Sequence, residues 1–277
     1  MRLTYIWHDC FYLEAENADI LFDFWKDVCA PVGQQPLFLH TRDWSRPLYV
    51  MVSHHHKDHY DRVIFEWAKL GRVHYILSDD TARFARHILN PGSIYKGTKP
   101  APGQVTVLKT GDVYDDGVIR VEAYGSTDIG NSYWFSVDGF SGFHAGDLNA
   151  WIWKDESTAA EVAQAFEAFN RIVGSIRDSH PHIDYVMFPV DSRIGTDYFT
   201  GAAVFVREID VARFFPMHFG LGDTVAEQER YRLDAAKTDL YMNPERGEYI
   251  CLQAPYSSYA DPRATKRDRY LLTDAVS

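Results

Sequence analysis

The sequence predicts an α/β (α+β) fold, and three observations carry that reading. Short apolar, β-branched runs recur from the first residues onward: Arg2 to Trp7, Phe11 to Glu14 and Asp19 to Phe24 follow one another like a β-meander. Strand-like runs then alternate with helical patterns. Leu48 to Ser53 reads as a buried strand, and Val63, Ile64, Trp67 and Leu70 after it recur at helical spacing. A long helix opens at Thr158-Ala159-Ala160-Glu161, a capping box, and presents Val162, Phe166, Phe169, Val173 and Ile176 on one face.

Composition bounds the rest. The chain has 277 residues, 46% of them hydrophobic, which is ample for a core in one domain. We take residues 1–277 as a single domain of two similar halves, roughly 1–124 and 125–255, with an exposed tail over 261–277. The net charge of −11 argues against sequence-independent nucleic-acid binding. No apolar run is long enough to span a membrane, and the opening residues do not read as a signal peptide. The three cysteines, Cys10, Cys29 and Cys251, are widely spaced and form no metal-binding pair. Reduced thiols and a cytoplasmic location are expected.

The remaining elements follow in order. Residues 25 to 47, with Pro31, Gly33, Pro36 and Pro47, read as a long irregular connection. Val73 to Leu77 is a strand. Ser78-Asp79-Asp80 caps a helix from Thr81 to Leu89, and Asn90-Pro91-Gly92 stops it. Residues 90 to 104 form a loop. Val105 to Leu108, Val118 to Ala123, Tyr133 to Val137 and Phe140 to Phe143 are strands, the last two hinged by Asp138-Gly139. Asp184 to Pro189 is a strand, Tyr198 to Ile209 a helix, and Phe214 to Gly220 another apolar run. Thr224 to Glu227 caps a further helix, and Tyr249 to Leu252 is a late strand. His74 and His87 lie inside these elements and read as structural.

The chemistry concentrates in Ser53-His54-His55-His56-Lys57-Asp58-His59, at the C-terminal end of the buried strand, where α/β folds bind ligands. His54 and His56 can meet one metal from a tight loop, and Asp58 and His59 can turn toward a second. Imidazoles with a carboxylate and no thiolate suit zinc, iron or manganese. The competing reading is a solvated histidine-rich loop. The complete His-x-His-x-Asp-His string after a buried strand favours the metal.

This string resembles the principal metal motif of the metallo-β-lactamase superfamily. That resemblance implies a four-layer αββα sandwich and a centre of two divalent ions, over roughly residues 1 to 255. Further runs match the family residue by residue. His8 after the first strand and Asp23 closing a Leu-Phe-Asp strand take recurrent positions; Asp23 would orient a metal-bound imidazole, and His8 is either a turn histidine or a pocket residue. Asp147, in His144-Ala145-Gly146-Asp147, matches the carboxylate that bridges the two ions. His218, in Phe215-Pro216-Met217-His218-Phe219, matches the last ligand and would bind the second ion with Asp58 and His59. These two runs look most like the ascorbate-phosphate-lactonase-type hydrolases. Asp191 and Arg193 fall at a strand end that carries function in the family, and Asp191 joins Asp58 and His218 as a candidate catalytic group. Trp151 and Trp153 line the substrate mouth or pack in the core.

One position departs from the pattern. The family places a histidine in the loop before the Gly-Asp strand, and here no histidine occurs between His87 and His144. Asp128, in Gly125-Ser126-Thr127-Asp128, is the best substitute, against the alternative of a turn aspartate bonding its own backbone. It would make the first site richer in oxygen, favouring manganese or iron. His144 competes, but it lies three residues before Asp147 along a strand and so faces away, which places it behind the site or in packing. The resemblance implies a hydrolase in which a hydroxide between the metals, oriented by Asp58, attacks an ester, lactone or phosphodiester of a small molecule. The alternatives are a mononuclear or degenerate site that binds without turnover, and a phosphodiesterase or nuclease. A homo-oligomer is compatible with the chain.

Overall fold

The period-2 alternation of apolar residues builds two sheets, seen in a computed structural model that describes residues 1–25, 36–154, 156–219 and 257–260. The first half of the chain contributes β1 (Arg2–Trp7), β2 (Cys10–Glu14), β3 (Asp19–Phe22), α1 (Leu37–Thr41), β4 (Leu48–Val52), β5 (Val73–Ser78), α2 (Asp79–Phe84), α3 (Arg86–Leu89) and β6 (Val105–Leu108). The second contributes β7 (Val113–Asp115), β8 (Ile119–Tyr124), β9 (Ser132–Val137), β10 (Phe140–His144), α4 (Ala159–Ser179), β11 (His182–Pro189), α5 (Thr200–Glu208) and β12 (Asp210–Met217). A last strand, β13 (Ser257–Ala260), pairs antiparallel with β1.

The first sheet has the order β13-β1-β2-β3-β4-β5-β6, the second β12-β11-β10-β9-β8-β7. Each mixes an antiparallel meander with parallel strands: β3 to β6 run parallel in one, β10 to β12 in the other. The chain changes sheets between Leu108 and Val113, earlier than a division at 124, and β13 returns to the first sheet. The expected helix after Thr224, the strand at Tyr249 to Leu252 and the tail over 261–277 lie outside the described residues.

Alternation sorts each strand's residues between two layers. On β3 and β4, Ile20, Phe22, Tyr49 and Met51 face the second sheet, while Leu21, Val50 and Val52 face the helices outside. Phe22 meets Phe135 across the sheets at 5.0 Å, and Phe11 meets Phe215 at 6.4 Å. On the outer side of the first sheet, Phe38, Phe65, Trp67 and Ile88 complete a separate cluster. On the outer side of the second, Phe169 of α4 and Phe205 of α5 pack on Phe188. The result is the αββα sandwich.

Three local expectations change. Residues Arg62–Lys69 form a 3-10 helix, opened by Asp61 accepting from the Val63 N–H at 2.8 Å; the β-branched pair Val63-Ile64 disfavours an α-helix there. The helix expected over Thr81 to Leu89 starts two residues earlier, under the Ser78 cap, and is divided into α2 and α3 at Ala85. The connection over 25–47 is not wholly irregular, because it holds α1. At three residues, two of them exposed, β7 is too short for alternation to show in the sequence.

Candidate metal centre

The C-terminal ends of six strands meet in one place. β1 delivers His8 and Asp9, β3 delivers Asp23, and β4 delivers the 53–59 loop. β10 delivers Asp147, β11 Asp191 and β12 His218. The chain leaves these strands sharply. His8, Asp23, Trp151 and His218 have φ of 56°, 43°, 45° and 61°, a left-handed backbone that costs a non-glycine residue about 1–3 kcal/mol. Such strain persists only where surroundings hold it, and it gathers here around one cluster.

Two donor groups share Asp147. In the outer group, His54 Nε2 lies 3.0 Å from His56 Nδ1 and 3.4 Å from Asp147 Oδ2, and His56 Nδ1 lies 3.4 Å from Asp128 Oδ2. The loop carrying Asp128 fits against the histidine loop because Gly130 has no side chain: a Cβ there would sit 2.1 Å from the Ser53 carbonyl oxygen. The Asn131 N–H donates to that same oxygen at 3.0 Å. Ser53 Oγ, 3.0 Å from His54 Nδ1, orients the His54 ring from behind. Asp128 also bonds locally: its N–H donates to Ser126 Oγ at 3.2 Å, and its carboxylate draws on the Ile129 backbone while facing the group.

In the inner group, Asp147 Oδ1 lies 3.0 Å from His59 Nε2 and 3.3 Å from His218 Nε2, and Asp9 Oδ2 lies 3.4 Å from His59 Nε2. Carboxylates hold both imidazoles from behind. Asp23 Oδ2 is 2.8 Å from His59 Nδ1, and Asp191 Oδ2 is 2.9 Å from His218 Nδ1. Asp23 is itself fixed by the Ser53 N–H and hydroxyl, at 2.7 and 2.5 Å. Asp58 stands in a third cluster with His8 and His218, its Oδ2 3.6 Å from His8 Nε2. Through His218 this cluster adjoins the inner group.

Charges and orphaned atoms show what the cluster lacks. Burial would push Asp147 up, but His59 and His218 hold it well below the usual carboxylate range. Burial would lower His59 and His218, yet Asp147 and Asp9 lift both, His218 to about 9. Burial holds His54 down at about 3 and His8 at about 4. His59 Nε2, Asp147 Oδ1, both nitrogens of His8 and both oxygens of Asp9 are buried without a hydrogen-bond partner among the described residues. Buried polar atoms seldom stay unpaired. Donors about 2.1 Å from one divalent ion sit about 3.0 Å apart along an octahedral edge and about 3.4 Å along a tetrahedral one. The separations in both groups, 3.0 to 3.4 Å, lie in that range, so the residues present fit such ions.

Other expected residues take other places. Asp191, expected among the catalytic groups, lies behind His218 and is fully engaged. It caps the 3-10 turn at Ser192–Ile194 and is gripped by the Arg193 guanidinium while it holds His218 Nδ1. Arg193 is half-exposed at the edge of the cluster, 3.4 Å from His218 Nδ1. His144 is buried and stacked on Phe22, and its Nε2 donates to the Asp9 carbonyl at 2.9 Å. Trp151 donates from Nε1 to the Asp147 carbonyl at 2.8 Å, stands edge-on to His218 and stacks on Trp153. Asp9 was not expected: a lone aspartate after His8 carries no spacing signal.

An αββα sandwich whose strand ends gather imidazoles and carboxylates defines a class of metal-dependent hydrolase. The model of the beta-lactamase superfamily domain matches residues 2–218, and the chain belongs to that superfamily, in its metallo-β-lactamase branch. Among solved structures, the metallo hydrolase Igni18 of the archaeon Ignicoccus hospitalis matches with a TM-score of 0.58 at 14% identity, covering 94% of this chain and 98% of its own. CmlA of Streptomyces venezuelae, a diiron β-hydroxylase, matches at 0.51 and 13% identity over 79% of this chain and 45% of its own. YhfI of Bacillus subtilis, a metallo-β-lactamase fold protein, matches at 0.50 and 12% identity, over 85% and 92%. At these identities the likeness concerns the fold. No curated protein matches the chain. No helix among the described residues is long and apolar enough to cross a membrane.

Proposed function

We propose that the protein is a hydrolase working with two divalent ions, zinc, manganese or iron, that cleaves an ester, lactone or phosphodiester bond of a small molecule. The observation that carries this is Asp147, whose two oxygens face two different donor groups. Bound ions would polarise the scissile bond and acidify a water. His54, His56 and Asp128 would hold one, and His59 and His218 the other.

The remaining residues serve the reaction around them. Asp58 keeps its charge: burial works against it, but His8 and His59 hold its carboxyl far below the usual range, so it is a charged acceptor of the hydrogen bond that would orient a water. Its side chain is 22% exposed, enough to reach that water. His8, neutral because it is buried, limits competing charge beside it. Trp151 and Trp153 offer a flat wall for the substrate, and Arg193 a cationic edge for an anionic one. The likeness to lactonases in the runs around Asp147 and His218 makes a lactone the first substrate to try. A cytoplasmic location belongs to the same proposal.

Protein loaded with each metal should be assayed for ions per chain and for turnover of chromogenic esters, lactones and phosphodiesters. About two equivalents are expected, with turnover that Asp58→Asn abolishes. One equivalent or none, without turnover, would favour a protein that binds without reacting. A second reading has one observation behind it. The two groups hold three carboxylates and no thiolate, a donor set that also suits iron, and CmlA is a diiron hydroxylase. Oxygen uptake by the reduced, iron-loaded protein distinguishes the two.

A further inference from the structure

His56 is the most exposed imidazole of the two groups, and its Nε2 has no hydrogen bond among the described residues. Carboxylates grip His59 and His218 by the ring, but His56 is held through its backbone. Its carbonyl accepts from the His59 and Tyr60 N–H groups at 3.1 and 3.0 Å. On its other side the chain is held at His55, which belongs to neither donor group. Asp80 Oδ2 accepts from the His55 N–H at 3.0 Å and lies 2.8 Å from His55 Nδ1. Phe84 stacks on the same ring at 4.6 Å. Asp80 reaches His55 because β4 and β5 run side by side in parallel, with Val52 opposite Leu77. The chain leaving β5 into α2 therefore passes the histidine loop leaving β4.

We propose that Asp80 is a positioning residue for the outer ion, fixing through His55 the angle at which His54 and His56 face one another. The proposal rests on the metal-dependent reading above and deepens it. Residue 55 is the link between the two imidazoles, so its two soft backbone torsions set their mutual direction. The donor atoms His54 Nε2 and His56 Nδ1 stand 3.0 Å apart, and a swing at residue 55 opens that edge. Asp80 meets that residue twice, at the backbone N–H and at the ring, and so restrains both. Its side chain is 16% exposed, and hydrogen bonds to a charged acceptor are the strong ones. Ser53 Oγ steadies His54 from the other end. A pair ordered before the ion arrives does not lose that freedom on binding. Asp79 is the natural comparison. It lies in the same first turn of α2 and favours the helix start equally, but its carboxylate pairs with Arg83, at 3.5 Å.

The test compares Asp80→Ala, Asp80→Asn, His55→Ala and Asp79→Ala with the wild type. Cobalt(II) is titrated against a competing chelator, and the binding step lost in His56→Ala marks the outer ion. Asp80→Ala should bind that ion roughly 10–100-fold more weakly, the loss expected when a residue that orients a ligand is removed, and leave the inner ion unchanged. Asp80→Asn keeps an oxygen acceptor in the same place and should recover most of the affinity. His55→Ala loses the ring contact but keeps the N–H bond, so it should weaken the outer ion by a smaller factor, and it reports even if Asp80→Ala fails to fold. Asp79→Ala should match the wild type. The visible spectrum of the outer cobalt should change in Asp80→Ala and not in Asp79→Ala. In the metal-free protein, the His55 N–H should exchange with solvent faster in Asp80→Ala than in the wild type. Wild-type affinity for the outer ion in Asp80→Ala or His55→Ala, an equal loss of both ions, or the same loss in Asp79→Ala overturns the assignment and leaves the metal-dependent reading standing. A wild type that binds no ion overturns that reading, and this assignment with it.

Discussion

The two donor groups differ most in their access to water. In the outer group His56 and Asp128 leave 45% and 38% of their side chains exposed. In the inner group the side chains of Asp9 and His59 have no exposure, and His218 has 4%. The same residue types therefore serve different ends. Where water reaches the donors, it can take the place of a lost one, and an ion can exchange. Where it does not, each donor must come from the chain, and each must be held. That is why Asp23 and Asp191 stand behind the inner imidazoles, while only a serine hydroxyl stands behind His54.

Asp147 joins the two groups, and its removal should have the largest effect. Asp147→Ala should cost both ions, counted by elemental analysis, and lower kcat on the order of 10³-fold, since several kcal/mol of charge stabilisation go with them. A variant that keeps one tightly bound ion would show that the groups are independent.

Changes confined to the outer group should be milder. Asp128→Ala should weaken the outer ion by about tenfold, because water fills the vacant position, and leave the inner ion untouched. Asp128→His should retain the ion and shift preference toward zinc. Unaltered affinity and activity in Asp128→Ala would make the residue a turn former only, and the contrast between the groups would then be sharper still.

The smallest effect is one of pH on the metal-free protein. Asp9, raised to about 8 by burial, and His218, raised to about 9 by Asp147 and Asp9 against burial, keep protons in the native state that the unfolded chain releases near 3.8 and 6.5. The native state thus binds more protons, and stability falls as pH rises through these values. His8 and His54, depressed by burial, act oppositely but only below their ordinary 6.5. Asp58 and Asp191, depressed by their histidine partners against burial, matter only near and below pH 4. Thermal melts in chelator should therefore show Tm declining between pH 6.5 and 9. Bound ions should remove that decline, because donors that hold metal have already lost their protons. A decline that persists with metal bound would place the titrating groups outside the donor set.

How much of this was legible in the sequence follows the same contrast. The 53–59 string could be read because its donors are contiguous and follow a buried strand. Asp147 could be read because a Gly-Asp pair ends a strand. His144 was expected to face away from Asp147, and alternation does carry it into the packing behind, against Phe22. Asp9 could not be read, since what makes it distinctive is depth, and depth comes from β1 lying inside a sheet closed on one side by β13 and on the other by β2. Asp191 was noticed, but its place behind His218 was not. Its direction depends on β11 and β12 lying side by side and parallel, which sets it behind His218. The helical spacing of Val63, Ile64, Trp67 and Leu70 gives a 3-10 rather than an α-helix for a local reason, the β-branched pair at its start.

The central claim is that one carboxylate joins two unlike ion positions. Anomalous diffraction from a metal-loaded crystal tests it most directly. The account predicts two peaks about 3.5–4 Å apart with the Asp147 carboxylate between them, one within reach of His54, His56 and Asp128, the other within reach of His59 and His218. A single peak, or two peaks with both Asp147 oxygens on the same ion, would contradict it.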